Sequence, residues 1–68
     1  MGENTMYYYF AFTNADPMQT AFKETEITIE EMRKRFVGTW VQTGDEEHDA
    51  DRVNDIWTSD QAKKYFAE

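Results

Sequence analysis

The sequence predicts a small α+β domain: an antiparallel sheet of three to four strands with one or two short helices packed on one face. Three observations carry that expectation. The chain is 68 residues long and has no cysteine. An aromatic run near its start has strand character, and two later stretches pair helix-capping spacing with an apolar repeat of helical period. Residues 1–68 then form a single domain, with residues 1–5 expected to be a flexible N-terminus. That length is close to the smallest at which a chain folds without a disulfide or metal staple. Aromatic residues make up 16% of the chain, which supplies a core and separates it from an acidic disordered tail.

The first element is "MYYYFAFT", residues 6–13, where aromatic residues of high strand propensity follow one another. In a strand, Tyr7, Tyr9 and Ala11 point one way and Tyr8, Phe10 and Phe12 the other. Phe10 and Phe12 are the natural core side, which leaves Tyr7 and Tyr9 on the outer face. "NADP", residues 14–17, is turn chemistry, and Pro17 stops the ladder. Residues 18–28, "MQTAFKETEIT", can return antiparallel as a second strand, although Asp16 and Pro17 also suit the start of a short helix. Thr28 and Glu31 have capping-box spacing, and Ile29, Met32 and Phe36 fall at i, i+3 and i+7, so a helix follows with Gly38 as its stop. Glu30 with Lys34 and Glu31 with Arg35 are i, i+4 pairs that absorb two of the three bases in "RKR" and give that run a structural role. "TWVQT", residues 39–43, is a strand leaving the helix. "RVNDIW", residues 52–57, satisfies both alternation and helical spacing, and strand is favoured. Thr58 and Gln61 repeat the capping-box spacing ahead of Ala62, Tyr65 and Phe66, which places a short helix at the C-terminus. Trp40 and Trp57 are expected as core anchors.

Net charge is −7 and unevenly distributed. Residues 44–55, "GDEEHDADRVND", hold Asp45, Glu46, Glu47, Asp49, Asp51 and Asp55 against Arg52 alone, a local charge of −5. The rest of the chain contributes −2. All six carboxylates are expected to project outward from a loop, because burial would require partners not evident in the sequence. Such a surface repels nucleic acid and anionic lipid and attracts basic protein surfaces, so neither direct nucleic-acid binding nor membrane binding is expected. No window approaches the roughly 20 apolar residues of a membrane span, and the N-terminus has no basic n-region, which points to a soluble cytoplasmic protein.

Catalytic and metal chemistry find little support. Asp45, Glu47, Asp49 and Asp51 are spaced like the early ligands of an EF-hand loop, but Ala50 stands where glycine is needed and Ile56 where the bidentate glutamate is needed. There is no glycine-rich phosphate loop and no nucleophile elbow, and His48 is the lone histidine. The expectation is no enzyme, no cofactor and no metal.

The acidic segment itself is the chemistry that remains. In an extended segment, Asp45, Glu47, Asp49 and Asp51 would line one side at about 6.8 Å intervals. DNA presents one phosphate per about 3.4 Å of rise along each strand, so a carboxylate row suits a groove of Arg and Lys built for phosphates. In composition and in this one loop the chain resembles the small acidic inhibitors encoded by phages and other mobile elements, including anti-CRISPR and DNA-mimic anti-restriction proteins. The resemblance implies an inhibitor that occupies the nucleic-acid-binding groove of a host defence complex such as a CRISPR-Cas effector. The partner-binding residues are then Asp45, Glu46, Glu47, Asp49, Asp51 and Asp55, with Tyr7 and Tyr9 as an aromatic contribution. The alternative is a small adaptor or subunit that binds through an aromatic sheet face or edge, the acidic loop serving solubility alone. Aromatics on both sides of one strand leave a homodimer open.

Overall fold

The aromatic run forms the central strand β1, Tyr7–Phe12, of a four-stranded antiparallel sheet. The computed structural model describes residues 6–44, 46, 47 and 49–67; the N-terminal residues 1–5, Asp45, His48 and the C-terminal Glu68 lie outside the described residues. In chain order the other elements are β2 (Met18–Lys23), α1 (Ile29–Phe36), β3 (Trp40–Gln42), β4 (Ala50–Trp57) and α2 (Ser59–Ala67). The sheet order is β2-β1-β4-β3, so two local hairpins meet where β1 pairs with β4. This is the α+β class expected, with the 52–57 segment a strand that begins at Ala50, but the two helices do not share a face: α1 packs on the side of Phe10 and Ile56, and α2 lies against Tyr9 and Trp57 on the other. The second strand ends at Lys23, short of residue 28, because residues 24–27 turn to start α1.

The core lies between α1 and one side of the β1–β4 seam. Tyr8, Phe10, Val53, Ile56 and Met32 form its buried centre, with Phe12, Phe22, Ile29, Phe36 and Val41 packed around it. Met32, Val53 and Ile56 have no exposed surface; burying each stabilises the fold by about 1.5–3 kcal/mol. Phe36 sits between Phe10 and Phe22 with ring centroids at 5.1 and 5.4 Å in tilted arrangements, which aromatic quadrupoles prefer to face-to-face stacking. The Tyr8 hydroxyl, carried into this core, donates to the Ile27 carbonyl at 2.6 Å. Desolvation by burial, with Glu24 and Glu30 nearby, raises its pKa above the ordinary tyrosine value.

Both helices start as their spacing predicts. Thr28 Oγ1 accepts from the Glu31 amide at 3.2 Å, while the Glu31 carboxylate turns away to accept from Arg35 Nε. At α2 the capping box closes in both directions: Gln61 N donates to Thr58 Oγ1 at 3.3 Å and Thr58 N donates to Gln61 Oε1 at 3.0 Å. A further N-terminal amide of α2, that of Ser59, donates to Glu24 Oε2 at 2.8 Å, which ties the helix to the turn after β2. Gly38 takes φ +93° directly after α1, a left-handed geometry that glycine adopts without a Cβ clash, and its amide donates to the Val53 carbonyl at 2.8 Å. α1 thus hands the chain straight into β3.

Candidate functional site

The hairpin of β3 and β4 carries the acidic segment. Its ladder pairs Trp40 with Arg52, Val41 with Asp51 and Gln42 with Ala50, and it is closed by the Thr43 amide donating to the Asp49 carbonyl at 2.9 Å. Gly44, Glu46, Glu47 and Asp49 lie at the tip between the two strands. Gly44 turns the chain there at φ +83°, again a glycine geometry. Glu46, Glu47 and Asp49 are exposed in bends and do not continue a strand. Asp45 belongs to the same tip in sequence and lies outside the described residues.

The expectation that all six carboxylates project fails at Asp51. This residue is 2% exposed. Its Oδ2 accepts from the amides of Asn14 and Ala15 at 2.7 and 2.8 Å, and its Oδ1 accepts from the Arg52 amide at 2.7 Å. Strand alternation turns it inward beside Val53, where the turn after β1 presents backbone N–H groups that would otherwise be buried without an acceptor. Asp51 therefore takes no part in an outward row of carboxylates. Asp55 is also engaged. Its Oδ1 accepts from Arg33 Nε and from the Ile56 amide, at 3.0 and 2.7 Å. That bond takes up Arg33, the base left over by the expected helical pairs, and ties α1 to β4. The groove between them is lined by Glu30, Arg33, Lys34, Val37, Asn54 and Asp55, which mixes both signs of charge.

The tyrosines divide as alternation requires, but the outer set is less open than expected. Tyr7 and Tyr9 are half-buried. Tyr9 pairs across the ladder with Trp57, and α2 lays Phe66 against the first and Tyr65 against the second, at 6.3 and 5.3 Å between centroids. The Tyr9 hydroxyl donates to Gln19 Oε1 at 3.1 Å. Tyr65 and Phe66 meet edge to face and remain 48% and 56% exposed, so an aromatic surface exists but is carried mainly by α2.

Trp40 is not a core anchor. It is 67% exposed, on the side of β3 that alternates with Val41. In a three-residue strand the phase of alternation follows from a single residue, and Val41 takes the inward position.

No family model, curated protein or solved structure matches the chain. The site therefore stands on its own geometry. Among the described residues no group of three or more His, Cys, Asp or Glu side chains is placed to hold a metal ion. No helix among them is long and apolar enough to cross a membrane. The arrangement offers a projecting anionic tip on a hairpin whose base is pinned by Asp51.

Proposed function

We propose that this protein is a non-enzymatic binding protein that presents the acidic β3–β4 tip to a basic protein surface. On this proposal it inhibits by occupying the nucleic-acid-binding groove of a host defence complex, of which a CRISPR-Cas effector is one instance, as the resemblance to phage-encoded inhibitors implies. The observation supporting it is the joint exposure of Glu46, Glu47 and Asp49 at one hairpin end. Carboxylates concentrated on a narrow projection can enter a groove, where they form charge-assisted, often bidentate, pairs with arginine. Their field also steers encounter with a basic partner.

The test is a pull-down from host lysate at low and moderate salt, run beside a variant carrying Glu46→Gln, Glu47→Gln and Asp49→Asn. Exposed charges interact over a Debye length of about 10 Å at 0.1 M salt, so capture should fall steeply with salt and be lost in the variant. Capture that ignores both changes would sink the proposal.

A second reading is a small adaptor or subunit that docks through the α2 aromatic surface, with the acidic tip serving solubility. The exposure of Tyr65 and Phe66 favours it. In that case Phe66→Ala abolishes capture and the salt dependence is shallow.

A further inference from the structure

The hairpin that carries the acidic tip also carries Trp40, 67% exposed and the most open of the large apolar side chains among the described residues. Trp40, Gln42, Ala50 and Arg52 share one side of the β3–β4 ladder, and all four are exposed. An indole in that position adds little to the core, and its apolar surface gains from cover only when something docks there. The chemistry of that partner follows from the charge around it. The exposed carboxylates of Glu46, Glu47 and Asp49 outnumber Arg52, so the adjoining tip attracts a basic surface. Strand spacing puts Trp40 no more than about 14 Å from Gly44, within reach of that same surface.

Lysine and arginine are not equivalent occupants of such a site. A guanidinium lies flat on an indole and also forms bidentate pairs with carboxylates, whereas an ammonium is a compact, strongly hydrated point charge. Arg52, directly across the ladder, leaves about two-thirds of the Trp40 surface open to a partner. We infer that the basic surface this protein docks on is arginine-rich, and that Trp40 binds it by stacking on a guanidinium while the tip carboxylates pair with others. This inference rests on the acidic docking proposed above.

The test uses two peptides of equal charge, nona-arginine and nona-lysine, titrated calorimetrically into the full chain at low ionic strength. Trp40→Leu and Trp40→Phe are run beside the wild type; the exposed position leaves the fold intact, which circular dichroism checks. Trp40→Leu should weaken nona-arginine by about two- to fivefold and leave nona-lysine unchanged, with Trp40→Phe in between. Equal loss for both peptides, or no loss for nona-arginine, overturns the role of Trp40 while leaving the acidic docking in place. If neither peptide binds the wild type, both the docking and this inference fall.

Discussion

Replacing Asp51 by alanine should come close to unfolding the protein, although Asp51 belongs by sequence to the acidic segment. The substitution removes the acceptor of three backbone amides, of which that of Ala15 is buried and those of Asn14 and Arg52 partly so. A hydrogen bond to a charged group contributes about 1.5–3 kcal/mol, and a buried donor left without an acceptor costs about 1–3 kcal/mol. With water reaching the two partly buried amides, the expected loss is about 3–5 kcal/mol. At about 0.05–0.15 kcal/mol per residue, the whole chain is stable by only about 3–10 kcal/mol. Asp51→Asn keeps one oxygen for the Asn14 and Ala15 amides but turns its NH2 toward the Arg52 amide, so a loss of about 1–2 kcal/mol is expected. Urea unfolding followed by circular dichroism measures both as midpoint shifts at constant slope. Asp49→Asn, on the exposed tip, is the control and should stay within about 0.5 kcal/mol of wild type. The reasoning is refuted if Asp51→Ala is as stable as that control.

Two further outcomes follow from the same structure. Tyr8 has a raised pKa, so the folded state holds its proton to higher pH than the unfolded chain. Its contribution is fully present below the unfolded value of about 10 and is lost as pH rises through the folded value, and Tyr8→Phe should reduce the fall in stability seen above about pH 10. Glu24→Gln weakens the acceptor for the Ser59 amide. Faster amide hydrogen exchange in the first turn of α2, with exchange in β1 unchanged, is the expected result.

Local chemistry made much of the fold legible. Thr28 with Glu31 and Thr58 with Gln61 announce both helices because each capping signal spans four residues of sequence and needs no distant partner. Strand character around Phe10 and Ile56 was legible for a similar reason. Asp51 was not, since its acceptor role depends on amides of Asn14 and Ala15, contributed by a turn far away in sequence. The same holds for the Arg33–Asp55 pair, which joins a helix to a strand, and for Glu24 at α2. Trp40 was misplaced because a three-residue strand holds too few positions to fix which side faces inward. Of the acidic segment, sequence conveyed the charge but not its division between an exposed tip and a structural base.

The strand order β2-β1-β4-β3 has a kinetic consequence. Each hairpin can form from neighbours in the chain, but the seam between β1 and β4 joins positions such as Phe10 and Ile56 that lie most of the chain apart. Closing that loop is entropically the expensive step, and chains dominated by distant pairings fold slowly. Rate control therefore belongs to the seam and the α1 side chains that pack on it. The hairpin end carrying Glu46, Glu47 and Asp49 lies outside it, so substitutions there should leave the assembly of the sheet that holds it out at its own pace.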